Sequence, residues 1–279
     1  MSAETHAGPR EIGAWTVVER LGAGSAANVF RCRRGEREVA VKLLRTGLGD
    51  RADDGGTGGR SAQLLRRLTR EAAILTRLDH PNVVRIREVE LEDDPAWIVM
   101  DYVPGRHAGF VIRAGPTPAA GVRRVARSLL SAMAHWHAAG IAHRDVKPGN
   151  LVLGPDGRLV VVDFGLALDA AAERLSAFGV RVGTYAYAPP EWASPDGADP
   201  RSGDLYGAGQ VLHELLIGRR LFDANASLLA IVNQKQSAEA LDPGPGVPDD
   251  LRAAIRALTA RDPARRPRSA SEALSGLAP

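Results

Sequence analysis

HRDVKPGN runs from His143 to Asn150, and VVDFG from Val161 to Gly165. The first string follows a candidate helix reaching His137 and precedes an apolar strand, Leu151–Leu153; the second closes a strand at a glycine that permits a sharp turn. Asp145 and Asn150 therefore share a loop, and Asp163 stands at a strand end. Asn150 and Asp163 offer two oxygen ligands. That set suits a hard divalent ion that keeps water and phosphate as its other ligands, as magnesium does. Asp145 is then left to accept a proton, with Lys147 just beyond it.

Working outward from this loop, LGAGSAANVF (Leu21–Phe30) places Gly22 and Gly24 at a turn and Val29 at the start of the next strand. Glycines so spaced let backbone approach phosphate oxygens closely, although a tight hairpin turn would look the same. The pattern is not the dinucleotide fingerprint, since Ala27 takes the last position and a strand follows where a helix is needed. VAVK then ends at Lys42. In the helix expected at about Ala62–Arg77, Leu64, Leu68, Leu75 and Leu78 define a core-facing stripe, and Glu71 falls on it. A carboxylate there either reaches water at the stripe's edge or needs a cationic partner, because unpaired burial costs several kcal/mol. Lys42 in the third strand of a small sheet supplies that partner.

The alternation changes character once. Strands are expected at Trp15–Leu21, Asn28–Arg33, Glu38–Leu44, Val83–Val89 and Ala96–Met100. After Pro104 helices dominate: Pro118–Ala139, Ser202–Ile217, Ser227–Gln234, Pro248–Thr259 and Ser269–Leu277, with short strands at Leu151–Leu153 and Leu159–Val162. Residues 1–13 read as a flexible N-terminus and 14–279 as one two-lobed domain: a strand-rich lobe over 14–100, a hinge at 101–105 ending in Pro-Gly, and a helical lobe over 106–279. Gly47–Gly59 carries six glycines without periodicity and is expected to be a flexible surface loop.

The 279 residues, 44% hydrophobic and 25% charged, have enough apolar material for a sizeable core and exclude disordered and fibrous classes. No apolar run reaches membrane-spanning length, and the first residues have no secretory pattern, so a cytoplasmic location without membrane contact is expected. The single cysteine, Cys32, excludes an internal disulfide and a Cys-rich zinc site. The net charge of +3 comes from basic residues spread along the chain, which argues against nucleic acid as a partner. Only three of the 36 basic residues are lysine: Lys42, Lys147 and Lys235. In so arginine-rich a chain, a retained lysine marks a place where a guanidinium does not serve.

Together these strings resemble a eukaryotic-like bacterial serine/threonine protein kinase, and the likeness runs from Trp15 to Leu277 in the family's order. Besides the glycine loop, VAVK, Glu71, HRDVKPGN and DFG, it includes GTYAYAPPE (Gly183–Glu191), DLYGAG (Asp204–Gly209) and RDPARRP (Arg261–Pro267). The resemblance implies an α+β bilobal protein-kinase fold, with a small antiparallel-sheet N-lobe bearing one long helix and a larger, mainly helical C-lobe. It implies transfer of the γ-phosphoryl group of ATP to a protein serine or threonine hydroxyl, with Mg2+ as cofactor and Mn2+ as an alternative, and autophosphorylation. Lys42, held by Glu71, would position the α- and β-phosphates. Asn150 and Asp163 would bind the metal, and Asp145 would orient the substrate hydroxyl and accept its proton. Lys147 would neutralise charge on the transferred group. Leu21, Gly22, Gly24, Val29, Ala40 and Val152 would surround the nucleotide, the backbone of Asp101 and Val103 would meet the adenine edge, and Met100 would be the gatekeeper. Glu191 with Arg266, and Asp204 on the catalytic loop, would be structural, as would His143, Phe164 and Leu75 in a hydrophobic spine.

Two lysines at two transfer positions would arise by chance about once in 200 (3/36 × 2/35), which favours an active enzyme over a nucleotide-binding pseudokinase scaffold. The segment resembling GTYAYAPPE, with Asp204 and Arg266, favours a protein kinase over a small-molecule kinase of related fold. Departures are Ala27 for a third glycine, Pro189 for an alanine, and GRHAGF without the acid that often holds ribose hydroxyls. Gly47–Gly59 is longer than usual, either a plain insertion or a docking loop. Arg144 before Asp145 marks kinases whose activation segment is often ordered by a phosphate, a segment that needs none being the open alternative; Ser176 is the candidate autophosphorylation site and Thr184 the weaker one. The protein substrate, a regulatory partner and the oligomeric state are not specified.

Overall fold

The computed structural model describes residues 9–24, 26–45, 57–165, 168–169, 186–193, 199–222 and 226–278. They form two compact units: one built from residues up to Thr76 and from Val84–Val103, the other from Arg77–Val83 and Pro104 onward. The fold class is α+β, with a sheet unit and a mainly helical unit.

The first unit is a six-stranded antiparallel sheet of β1 (Glu11–Ile12), β2 (Trp15–Ala23), β3 (Ala27–Arg34), β4 (Arg37–Leu44), β5 (Ile86–Glu90) and β6 (Trp97–Asp101), in the order β1-β2-β3-β4-β6-β5. Successive strand residues face opposite sides, so one face collects Phe30, Cys32, Val39, Val41 and Val99 around Ile12 and the fully buried Trp15. The other face carries the alternate residues. Val29 pairs with Lys42, Arg31 with Ala40, Ala40 with Met100 and Lys42 with Ile98. Helix α1 (Thr57–Leu75) buries Leu68, Glu71, Ala72, Ile74 and Leu75. It begins five residues before the expected Ala62, taking in Gly58 and Gly59, and ends two before Arg77; residues 46–56 of the glycine-rich stretch lie outside the described set.

The strand expected from Val83 begins only at Ile86. The residues before it have other partners: Val83 bridges Val161, the Val161 N–H donates to the Asn82 carbonyl (2.8 Å), and Asn82 Nδ2 donates to the Leu159 carbonyl (2.6 Å). Backbone groups satisfied in this way belong to the second unit and are lost to the sheet.

In the second unit β7 (Arg106–His107) opens the chain, followed by α2 (Ala108–Ala114), α3 (Ala119–Ala138), β8 (Ile141–Ala142), a 3-10 turn (Pro148–Asn150), β9 (Leu151–Leu153), β10 (Leu159–Val161) and β11 (Leu168–Asp169). Another 3-10 turn (Pro190–Ala193) precedes α4 (Pro200–Ile217), α5 (Leu228–Ser237), α6 (Asp249–Leu258) and α7 (Ala270–Ser275). Three strands form a sheet in the order β10-β9-β7, and β11 pairs with β8. Val122, Val125, Ala126, Leu129, Leu130, Met133 and Trp136 give α3 a continuous apolar stripe. Helix α4 is buried nearly all round, from Asp204 to Leu215, as a central helix must be. Its glycines permit close approach: a Cβ at 207 would sit 2.7 Å from the Val146 carbonyl oxygen, and one at 209 would sit 2.6 Å from Thr259 Cγ2. Among the described residues no helix is long and apolar enough to cross a membrane.

Candidate active site

In the first unit the chain places several of the expected nucleotide-binding residues on one sheet face. Val29, Ala40, Lys42 and Met100 share it by register, and Gly22 pairs with Val29 across a bulge that takes Leu21 out of the ladder. A Cβ at Gly22 would meet nothing within 4 Å, and the Gly24 N–H is turned onto the Ala27 carbonyl (2.8 Å). Lys42 Nζ lies 2.8 and 2.6 Å from the two carboxylate oxygens of Glu71, whose side chain is 2% exposed. Of the two readings open for Glu71, a carboxylate at the stripe's edge in water and a buried, paired one, the structure gives the second. The ion pair sits where both charges are desolvated, so removal of either partner would strand the other. Asp101 ends β6 with its carboxylate held bidentately by Arg87, and its N–H donates to the Arg85 carbonyl (2.9 Å). Val103 is half-buried, and Leu75 is buried within this unit.

In the second unit the loop after β8 is built on Asp204. This buried carboxylate accepts the His143 N–H (2.8 Å), the Trp136 indole (3.2 Å) and the His137 imidazole (2.9 Å) on Oδ2, and the Arg144 N–H (2.7 Å) on Oδ1. Arg144 takes φ +65°, a left-handed conformation that costs a non-glycine residue energy, and the paired N–H groups on Asp204 hold it there. His143 packs on Phe164 at 4.5 Å between ring centroids, and Phe164 stands edge-on to Trp136. Burial pushes the His143 imidazole below its usual range against the pull of the Asp204, Asp145 and Asp163 carboxylates. Nδ1 accepts the Asp145 N–H (3.3 Å), which leaves the proton of the neutral ring on Nε2.

The turn made by Arg144 aims Asp145. Its Oδ2 receives Lys147 Nζ (2.6 Å) and Asn150 Nδ2 (3.0 Å), whereas Oδ1 is buried and among the described residues has no hydrogen-bond partner. An unsatisfied buried carboxylate oxygen costs about 1–3 kcal/mol or more, so it marks a place where a ligand donor belongs. Asn150 Nδ2 also donates to the Asp145 carbonyl (2.9 Å). Since both neighbours are acceptors, the amide nitrogen must face them, and the amide oxygen is the atom turned elsewhere. Asp163 takes φ +72° at the end of β10, with Oδ1 accepting the Gly165 N–H (3.1 Å). An amide oxygen and a carboxylate fit a hard divalent ion. Among the described residues no three His, Cys, Asp or Glu side chains gather into an all-protein metal cage. Val152, buried on β9, pairs with His107.

A second framework lies farther along. Arg266 meets Glu191 through two parallel bonds (2.6 and 2.7 Å) and also donates to the Ala260 and Ser202 carbonyls, with none of its side chain exposed. Ser176 and Thr184 lie outside the described residues. Sequence reasoning missed three contributors. Trp136 and His137 were read only as the end of a helix, although both donate to Asp204. Glu214 is a buried carboxylate accepting from Tyr187, Gln210 and the Leu221 N–H. A charge inside the apolar run of α4 was the available signal, the same one that singled out Glu71. Lys235 is buried as well.

A family model described as protein kinase domain matches residues 15–276. Among curated proteins the chain is 34% identical over 270 residues to serine/threonine-protein kinase PrkC of Bacillus subtilis, covering 95% of this chain and 40% of that one. It is 33% identical to serine/threonine-protein kinase PkaA of Streptomyces coelicolor, covering 96% and 50%, and 33% identical to serine/threonine-protein kinase PknL of Mycobacterium tuberculosis, covering 90% and 62%. The chain thus spans between 40% and 62% of the length of these relatives.

Proposed function

Because the chain belongs to the protein kinase domain family, in the eukaryotic-like bacterial serine/threonine branch, we propose that it transfers the γ-phosphoryl group of ATP to a serine or threonine hydroxyl of a protein, itself included. The observation that carries this reading is the divided carboxylate of Asp145: Oδ2 is held by Lys147 and Asn150, and Oδ1 is buried without a partner among the described residues. A substrate hydroxyl donating to Oδ1 is oriented for attack and passes its proton there as its oxygen bonds to phosphorus and ADP departs. Lys147, bonded to the same carboxylate, adds a compact positive charge near the transferred group. Lys42, fixed by Glu71, holds the α- and β-phosphates. Asn150 and Asp163 would hold a divalent ion, Mg2+ in the first instance. When bound, that ion would supply positive charge against the phosphates. In the first unit Leu21, Val29, Ala40 and Met100 are assigned to the base, with the backbone of Asp101 and Val103 at its edge; in the second unit Val152 is assigned to it.

The same reading makes residues 14–279 the catalytic domain, and Ser176 its autophosphorylation site, read through Arg144. It places the domain in the cytoplasm, where ATP is supplied and where Cys32 has no disulfide to make: burial raises its thiol to about 11 and leaves it inert. Radiolabel transfer from ATP to the chain itself and to a generic basic protein tests the assignment. Asp145→Asn, which keeps the shape and loses the base, is expected to lose about a hundredfold or more. Activity retained in that variant would overturn it. Phosphopeptide mapping after incubation with Mg-ATP checks Ser176.

A further inference from the structure

Lys235 is the third of the chain's lysines, and the proposed transfer leaves it without a task. It lies on α5 and is 7% exposed. Its ammonium donates to the Ala188 carbonyl and, at 3.4 Å, to Gln210 Oε1, and it faces the rings of Tyr206 (5.0 Å) and Phe222 (5.1 Å). An ammonium has three N–H donors, and among the described residues the third has no acceptor. The charged groups around it are committed elsewhere. Glu191 is bonded to Arg266, and Glu214 accepts from Tyr187, Gln210 and Leu221. No carboxylate of the described residues comes within ion-pair distance, so this is a buried cation with neutral partners only, an arrangement that costs several kcal/mol.

The same side chain lines a cavity of about 280 Å3 with Tyr206, Leu221, Phe222, Leu241 and Thr259, and the exposed Gln234 and Ser237 stand at its rim. An apolar cavity of roughly 150 Å3 takes up benzene, so this one has room for a ring or short chain with a polar group. Thr259 contributes no free polarity, because its hydroxyl donates to the Ile255 carbonyl and accepts the Leu241 N–H. Among the described residues the only charged side chain in the lining is Lys235. The geometry points to a binding site for a small apolar carboxylate, its hydrocarbon against Phe222, Leu221 and Leu241 and its carboxylate on the Lys235 ammonium. The ammonium that takes the carboxylate on its remaining N–H also donates to the Ala188 carbonyl. With the bond from Gln236 Nε2 to the Pro190 carbonyl (3.3 Å), that bond is one of two hydrogen bonds that, among the described residues, tie the end of α5 to the segment leading into Glu191. The ligand is therefore coupled to the backbone that the Glu191–Arg266 pair anchors.

Burial lowers the Lys235 amine to about 7, against the attraction of Glu214 and Glu191 and with the repulsion of Arg266. Tyr206 and Tyr187 face the same region and are held protonated by burial. A carboxylate binds the ammonium form, so the site takes up a proton on binding above neutrality, and affinity falls as the amine loses its charge. The probes are benzoate and benzamide, titrated calorimetrically into the whole chain at pH 6 and pH 8. Benzoate is expected to saturate one site about tenfold more tightly at pH 6 than at pH 8, with close to one proton drawn from the buffer at pH 8. Benzamide, of the same shape without the charge, is expected to bind at least about tenfold more weakly than benzoate at pH 6. Lys235→Met should abolish the pH dependence. Ala238 also lines the cavity, and Ala238→Phe, which fills it and leaves the amine, should abolish binding, and it decides the matter if the lysine variant does not fold. No saturable benzoate binding, equal affinity for benzamide, or a flat pH profile overturns the proposal. The readout is binding alone, so it stands or falls separately from the transfer reaction.

Discussion

Asp204→Asn tests the account of how the loop from His143 to Asn150 is aimed. The carboxylate accepts four hydrogen bonds, three on Oδ2 and one on Oδ1. An amide has one acceptor oxygen. If that oxygen keeps the three bonds at the Oδ2 position, the new NH2 faces the Arg144 N–H, and a buried donor loses its acceptor at a cost of about 1–3 kcal/mol. The three surviving bonds change from charge-assisted to neutral and lose about half of their strength. Removing a buried charge returns part of this through relief of desolvation. The net expectation is a loss of about 2–4 kcal/mol, read as a lower urea midpoint with an unchanged slope. Arg144, no longer held in its left-handed conformation, releases Asp145 as well. The phosphoryl-transfer rate should therefore fall more than about tenfold, with the KM for ATP changing far less. Asp199→Asn serves as control, since that exposed carboxylate caps α4 and bonds Arg201 at the surface, where about 0.5 kcal/mol or less is expected. If Asp204→Asn matched this control in both stability and rate, the loop would not be organised by the aspartate.

Arg266→Met should destabilise by about 3–5 kcal/mol in thermal or urea unfolding, because it leaves the half-enclosed Glu191 carboxylate without its bidentate partner; a double variant with Glu191→Leu should recover part of the loss. Gly207→Ala sets two principles against each other. Helix propensity favours alanine by about 1 kcal/mol, but the added Cβ 2.7 Å from the Val146 oxygen forces α4 or the loop to move, so a net loss of about 1–3 kcal/mol is expected, and a gain would refute the close approach. Stability should fall as pH drops below about 6.5. Burial holds His143, His107, His213 and His80 below their ordinary value, so the unfolded chain binds protons that the native one does not, and equal urea midpoints at pH 7 and pH 5 would contradict this. The curve should also keep rising above pH 7. Between about 7 and the ordinary lysine value of 10.5 the unfolded chain carries a proton that native Lys235 lacks, and Lys235→Met should flatten this upper limb.

What the sequence made legible follows from how local each signal is. The leucine stripe of α1 put Glu71 toward the core and VAVK offered Lys42 as its partner, but whether the carboxylate was buried or reached water was decided only by the structure, where β4 carries Lys42 on the face opposite Val39 and Val41. Helix α4 was legible as an element, but its central burial was not. Its spacing shows no single stripe, and the reasons for Gly207 and Gly209 lie in Val146 and Thr259, far away in the chain. The misplaced start of β5 has the same origin: Asn82 and Val83 read as strand residues, and they do pair, but with Leu159 and Val161 instead of the neighbouring strand. Short elements such as β7 and α2 fell below the length at which periodicity can be read. Composition reached farther than pattern in one instance. The scarcity of lysine flagged three positions, and motifs explained two. The third, surrounded by no recognisable string, is the one whose ammonium lies buried between two aromatic rings and a backbone carbonyl. A guanidinium is larger, carries five donors in a rigid fork and stays charged, so it would leave more N–H groups unsatisfied and could not shed its charge. The rarity of lysine and the burial of Lys235 are thus two views of one constraint, and the carboxylate-binding site proposed there is its chemical consequence.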